Sequence, residues 1–187
     1  MSSQPPPPLK KVKVTLLGDA GMGKSSLAQR IFNNRFHEFE EATIGAAYMV
    51  MRQGDTRLEC WDTAGQERYR CLIPMYTRGA DVVWLVVEAG DDKKEEQIAY
   101  WMKLLTESVP EECTVVRVVN KLDLVEKKPP MPYRENSPVF YTSAKTGEGC
   151  DELIEYTFTK SRMHPEAGPP AFAIHMGKSE APPQYCC

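Results

Sequence analysis

The chain has 187 residues, of which 42% are hydrophobic and 26% charged, and its formal net charge is -3. That is the length of one domain with tails and enough apolar content for a packed core. The charge is too low in positive sign for a nucleic-acid binder, apolar runs such as 82–87 are far too short to span a bilayer, and the first residues lack the charged-then-apolar order of a secretory signal.

Residues 1–9 hold Pro5 to Pro8 and read as a disordered or polyproline II tail. Residues 12–17 read as a buried strand, followed by Gly18-Asp19-Ala20-Gly21-Met22-Gly23-Lys24-Ser25-Ser26 and a helix over 24–32. Glycine and serine add little to a core, so the stretch needs another explanation. The spacing Gly-x4-Gly-Lys-Ser fits a phosphate-binding loop. Glycines let backbone N–H groups turn onto phosphate oxygens, and the helix start aims its positive dipole end at the same anion. Lys24 then reaches the β- and γ-phosphates and the Ser25 hydroxyl ligates Mg²⁺. The alternative is a plain glycine-rich turn, and the loop by itself admits any NTPase.

Residues 46–52 and 57–62 read as two strands joined at Gln53-Gly54-Asp55. The second ends in Trp61-Asp62-Thr63-Ala64-Gly65-Gln66-Glu67. A carboxylate at a strand end beside a phosphate loop suits Mg²⁺, which makes Asp62 the metal candidate; Gly65 could offer its N–H to a γ-phosphate and Gln66 could orient an attacking water. A strand running into a turn is the alternative.

Residues 82–87 and 115–119 are short apolar runs, as expected of strands buried on both faces. Between them Ile98, Trp101, Met102 and Leu105 fall at helical spacing, with Trp101 read as core. Asn120-Lys121-Leu122-Asp123 follows the second run. Guanine offers N1–H and an exocyclic amine, and one ionised carboxylate accepts both, so Asp123 would select guanine over adenine. The Asn120 amide can bond N7 or tie loops together, and the Lys121 stem can lie over the base. Residues 126–138 carry Pro129, Pro130, Pro132 and Pro138 and read as an irregular loop. A last short strand at Val139–Tyr141 leads to Thr142-Ser143-Ala144-Lys145-Thr146-Gly147, where the Ala144 N–H could bond the guanine O6 and Lys145 could cover the other ring face. Residues 151–160 read as a helix with Leu153, Ile154 and Phe158 facing inward, and prolines return from Gly168 onward in a second tail. Of six cysteines, Cys60, Cys71, Cys113 and Cys150 stand singly with no metal or disulfide spacing and read as reduced cytosolic thiols. The strand–helix alternation argues an α/β domain with a mostly parallel sheet, which binds ligands beyond the carboxyl ends of its strands.

The four motifs occur in order, each at a strand end. Together they resemble the small Ras-like GTPases over residues 11–162. The resemblance implies a P-loop NTPase (Ras-like) three-layer fold, with a sheet of about six strands and one antiparallel edge pair. It implies a GTP-binding domain over 10–165, between a proline-rich tail at 1–9 and a flexible tail at 166–187. Ala42-Thr43-Ile44-Gly45-Ala46-Ala47-Tyr48 is similar to the first switch of the Rab family, and with residues 62–80 it looks most like the early-endosomal Rab branch.

On that resemblance GTP/GDP and Mg²⁺ are the cofactors. Gly18, Asp19, Ala20, Gly21, Gly23, Lys24, Ser25, Ser26, Phe36, Asn120, Lys121, Asp123, Ser143, Ala144 and Lys145 hold the nucleotide, with Phe36 edge-on to guanine. Ser25, Thr43 and Asp62 serve the metal, and Lys24, Thr43, Gly65 and Gln66 serve hydrolysis. Losing the γ-phosphate frees Thr43 and Gly65, and their loops relax. Tyr48, Trp61 and Tyr76 match the aromatic trio offered to effectors, the alternative being core aromatics. Cys186 and Cys187 resemble the Rab signal for double geranylgeranylation. The physics agrees: residues 160–187 set Lys160, Arg162 and Lys178 against Glu166 and Glu180, which is no polybasic patch, and one lipid anchors only marginally.

The implied function is a GTP/GDP switch in vesicular traffic. It is a monomer at the cytosol and the cytoplasmic face of endomembranes, endosomal by branch. Its partners are an exchange factor, a GTPase-activating protein, effectors, a prenylation escort and a dissociation inhibitor. No arginine is obviously placed as a finger, so the activating protein is needed for fast turnover. Three departures stand out. Ala20 sits where a side chain crowds the attacking water, so hydrolysis is expected to be altered. The segment 124–138 is shorter than the family's and lacks its usual helix. Val86-Val87-Glu88-Ala89-Gly90 replaces a more usual aspartate-bearing ending with no clear chemical consequence. Two other readings remain: a GTP-locked, hydrolysis-poor scaffold that only binds effectors, and a P-loop kinase or ATPase, which Asp123 disfavours.

Overall fold

Two kinds of apolar run build the domain: strands apolar on both faces, and helices apolar on one stripe. A computed structural model of the chain describes residues 10–65, 71–131 and 137–163. In chain order the elements are β1 (Lys10–Leu17), α1 (Lys24–Asn33), β2 (Ala46–Gln53), β3 (Thr56–Thr63), α2 (Ile73–Thr77), β4 (Val82–Glu88), α3 (Lys94–Thr106), β5 (Thr114–Asn120), β6 (Val139–Tyr141), α4 (Cys150–Phe158) and β7 (Arg162–Met163).

The sheet runs β2-β3-β1-β4-β5-β6. The pair β2/β3 is antiparallel, in the register Tyr48↔Trp61, and the other pairs along this path are parallel. The expected six-strand architecture with one antiparallel edge pair is therefore present. The addition is β7, which pairs antiparallel with the start of β1 at Lys10↔Met163 and Lys11↔Arg162, ahead of the point where β4 joins β1 at Val14. Two residues carry no periodicity, so sequence alone could not reveal it.

The core has two halves. On one face Val12, Val14, Leu16, Trp84, Val86, Val116 and Val118 pack with Leu27 of α1 and Leu153 of α4. On the other Leu17, Val83, Leu85, Val87 and Val119 pack with Ile98, Trp101 and Leu105 of α3 and Ile73 of α2. Consecutive residues of β4 alternate between these halves, which is why the strand reads as an unbroken apolar run. Each fully buried large apolar side chain is worth about 1.5–3 kcal/mol against exposure. Met102 is only partly buried at the edge of the α3 stripe.

One residue breaks the apolar rule. Arg117, in the middle of β5, is 1% exposed and donates from Nε and Nη2 to the Ser137 carbonyl at 3.2 and 2.7 Å. It secures the chain just before β6, where the proline-rich segment returns to the sheet. Residues 126–131, 137 and 138 form no helix or strand, in keeping with an irregular loop; residues 132–136 lie outside the described residues.

Candidate functional site

The loops after β1, β3, β5 and β6 all open at the carboxyl edge of the sheet, and a single cleft there touches each of them. Its phosphate-loop wall comes from Ala20, Gly21, Gly23, Lys24, Ser25 and Ser26. Two glycines in that loop admit no side chain. A Cβ on Gly18 (φ 137°) would meet the Val86 carbonyl oxygen, and one on Gly23 (φ 84°) would meet Asn120 Nδ2 at 2.6 Å. Lys24 is 5% exposed and donates to the carbonyls of Gly18 at 2.9 Å and Asp19 at 2.8 Å. Burial lowers its pKa, with Asp62 and Asp19 opposing the shift. A buried ammonium bound only to carbonyls suits a polyanion.

Gly65 follows β3 and lies against this loop, where a Cβ would fall 2.6 Å from the Ala20 nitrogen and into Lys24 Nζ. The Ala64 N–H donates to the Gly45 carbonyl at 2.9 Å, linking the loop after β3 to the one before β2. The Ser25 and Thr43 hydroxyls bond each other at 2.8 Å. Asp62 is 2% exposed and its Oδ1 has no hydrogen-bond partner. Burial pushes its carboxyl up to about 6, against the pull of the Ser25 hydroxyl, Lys24 and the Thr43 hydroxyl toward the ionised form. Two hydroxyls and a carboxylate with an orphaned oxygen are the donor set of a hard cation, so the residues present fit Mg²⁺.

The opposite end of the cleft is built around Asn120, which is fully buried. Its amide nitrogen donates to the Met22 carbonyl at 3.2 Å, and its Oδ1 accepts from the Thr142 hydroxyl and the Ala144 N–H, each at 3.2 Å. Of the two roles open to it, tying loops together is the one this geometry displays. The same bond engages the Ala144 N–H, so a base oxygen would have to share it. Asp123 lines the cleft, and its Oδ1 accepts from the Ser143 hydroxyl at 2.5 Å. That bond fixes the carboxylate while leaving its other oxygen and remaining lone pairs for two donors. Phe36, Lys121 and Lys145 also line the cleft, and Glu38, Glu40 and Glu41 add carboxylates to its wall.

Gly18, Asp19, Asp62 and Ser143 do not line the cleft; Gly18 and Asp19 accept from Lys24, and Ser143 donates to Asp123. The aromatic trio is assembled: Tyr48–Trp61 ring centroids are 5.1 Å apart and Trp61–Tyr76 6.4 Å. Trp61 and Tyr76 are only 8% and 7% exposed and belong to the core, while Tyr48 is half-buried. Gln66, Cys186 and Cys187 lie outside the described residues.

Three contacts escaped the sequence reading. Trp101, assigned to the core and indeed buried, also donates from Nε1 to Asp19 Oδ1 at 3.2 Å. Glu88, which had no evident role, pairs with Lys121 at 2.6 Å and orients the stem expected to cover the base. Arg30 of α1 donates to the carbonyls of Ala144 and Lys145. None of these pairs is marked by a motif or a short spacing.

The chain is similar in sequence to known proteins. The family model described as Ras of Complex, Roc, domain of DAPkinase matches residues 13–123. The GTP-binding protein ypt5 of Schizosaccharomyces pombe is 37% identical over 91% of this chain and 88% of its own length. Ras-related protein Rab-5B of Plasmodium falciparum is 37% identical over 78% of this chain and 75% of its own. Ras-related protein RABF2a of Arabidopsis thaliana is 33% identical over 94% of each. With its phosphate loop, guanine-type motif and switch segments converging on one cleft, the chain belongs to the Rab family of small Ras-like GTPases and is most similar to the early-endosomal branch.

Proposed function

We propose that this chain is a Mg²⁺-dependent GTP/GDP switch of endocytic traffic that works on the cytoplasmic face of endosomal membranes. One observation carries the metal and nucleotide part: the buried, unpartnered Asp62 oxygen beside the Ser25–Thr43 hydroxyl pair, next to a buried lysine bonded only to carbonyls. Bound Mg²⁺ supplies charge neutralisation at the phosphates. Lys24 exchanges its loop carbonyls for phosphate oxygens, backbone N–H groups of 20–26 cradle the anion, and Asp123 accepts from the guanine edge. Gly65 and Thr43, on two linked loops, report the γ-phosphate by holding or losing it, and Gln66 orients the attacking water.

The reading extends to partners. An exchange factor, a GTPase-activating protein and effectors meet the switches, with the trio of Tyr48, Trp61 and Tyr76 read by effectors. Lipids on Cys186 and Cys187, delivered by a prenylation escort and masked by a dissociation inhibitor, hold a monomer on the membrane. Among the described residues no helix is long and apolar enough to cross a membrane.

The test is to identify the nucleotide that co-purifies with the chain and to follow single-turnover GTP hydrolysis with and without Mg²⁺. Bound guanine nucleotide and slow, Mg²⁺-dependent release of phosphate are expected. Tight GTP binding with no turnover would favour the hydrolysis-poor scaffold, a reading supported by Ala20 on the cleft wall. Bound adenine nucleotide would overturn the proposal.

A further inference from the structure

The contact between α1 and the last loop of the cleft has no counterpart in the roles assigned so far. Arg30 is half-buried on α1. Its Nε donates to the Ala144 carbonyl at 2.7 Å and its Nη2 to the Lys145 carbonyl at 2.8 Å. Its Nη1 donates to Asn34 Oδ1 at 3.1 Å. The planar guanidinium thus grips two successive carbonyls of one loop with a fixed fork, which an ammonium cannot reproduce. Ala144 is held from both sides, because its N–H donates to the buried Asn120 while its carbonyl accepts from Arg30.

The same helix starts at Lys24 in the phosphate loop. Arg30 lies six residues further on, about 9 Å along the axis. One rigid element therefore carries both the end that receives phosphate and the hand that sets the base-facing loop.

We infer that Arg30 is a positioning residue for base recognition: by holding the Ala144 and Lys145 carbonyls it fixes the Ala144 N–H, which the 6-oxygen of the purine would share with Asn120 Oδ1, and couples that loop to the phosphate loop. This rests on the reading of the cleft as a guanine nucleotide site. The consequence is specific. Loss of Arg30 weakens selection at the 6-position of the base, where a carbonyl is distinguished from an amine. Selection at the 2-position, which falls to Asp123, stays as it is.

The experiment compares the parent chain with R30M, R30K and N34G, all with Mg²⁺. N34G keeps the left-handed backbone at this helix end (φ 50°) and removes the Asn34 acceptor while sparing both carbonyl bonds. Dissociation of a fluorescent GDP is timed, and GDP, ADP, IDP and 2,6-diaminopurine riboside diphosphate compete for the site. R30M is expected to release GDP about tenfold faster, the scale of one charge-assisted hydrogen bond, and to lose a similar factor of preference for GDP over the diaminopurine nucleotide. Its preference for GDP over IDP should not change. R30K should fall between, and N34G should match the parent.

Faster release with an unchanged GDP-to-diaminopurine ratio would overturn the inference, since the contact would then serve stability alone. Failure of both R30M and R30K to fold would overturn it on the same ground, as would an N34G chain that behaves like R30M. A parent chain without preference for GDP over ADP would overturn the underlying nucleotide reading, and that result needs no substitution to be seen.

Discussion

Asp62 ties charge to ligand at a single atom. Its carboxyl is pushed up from 3.8 to about 6 by burial, so the folded chain holds a proton more tightly than the unfolded one. Ionisation then costs stability: nothing below about pH 4, a rising amount up to about pH 6, and up to about 3 kcal/mol above it. A bound cation removes that cost. In chain stripped of metal and nucleotide, D62N should therefore melt above the parent at about pH 7.5, and the gap should close toward about pH 4.5. Thermal unfolding across that range checks the sign. A second residue-scale expectation concerns Asp123. D123N retains an oxygen for the Ser143 hydroxyl but turns one acceptor toward the base into a donor. Its preference should move from GTP toward XTP by about a hundredfold or more, read by competition binding. Asp123, Lys24 and Ser25 were legible because each carries its chemistry within a short motif. Arg30 and Trp101 were not, because their partners lie 114 and 82 residues away and only the fold brings them together.

At the scale of elements, helix and strand junctions set the site as firmly as its side chains do. Gly149 caps α4 at φ 69°, and a Cβ there would collide with the carbonyl oxygen of Tyr141 at the end of β6. Gly54, in the β2–β3 turn, shares the positive φ (59°) but has nothing within 4 Å of a Cβ. G54A should cost about 1 kcal/mol from backbone strain alone. G149A should cost about 3 kcal/mol or more, because it adds a clash with main chain, and it should also speed GDP release by displacing the loop that carries Ser143 to Lys145. Chemical denaturation and nucleotide dissociation measure the two effects separately. Most elements were readable in advance because their apolar periodicity survives in the fold, as in β4 and the α3 stripe. Residues 115–119 were readable as a strand but not as a site of buried charge: Arg117 sits in that run, and nothing local shows that its guanidinium reaches the Ser137 carbonyl. The role of Gly149 was equally hidden, because the clash that demands it lies with a different element.

On the scale of the whole molecule, the cleft is where the fold leaves its accounts open. Lys24 and Asp62 are both buried there, each shifted toward its neutral form by burial. They belong to different elements, Lys24 to the start of α1 and Asp62 to β3, and meet only because β1 and β3 are paired neighbours in parallel register, Leu16 opposite Asp62. The site was legible as a set because parallel strands deliver successive loops to one edge; the register that sets their distances was not. A ligand that supplies phosphate oxygens to Lys24 and a cation to Asp62 stabilises the fold at its least satisfied point. Saturation should therefore register globally. With free GDP·Mg²⁺ about a thousandfold above its Kd, the native state gains about 4 kcal/mol. At about 2–4 °C per kcal/mol for a domain of this size, the melting midpoint should rise by roughly 8–16 °C over chain stripped of nucleotide and metal. ADP·Mg²⁺ at the same concentration should leave the midpoint nearly unmoved, because Asp123 rejects its base. K24A should lose most of the GDP shift while keeping its own ligand-free midpoint close to the parent's, since the buried ammonium it removes costs desolvation and returns only carbonyl bonds. Equal shifts with GDP and ADP would place the binding energy in the phosphates alone and deny the base end of the cleft any part in selection.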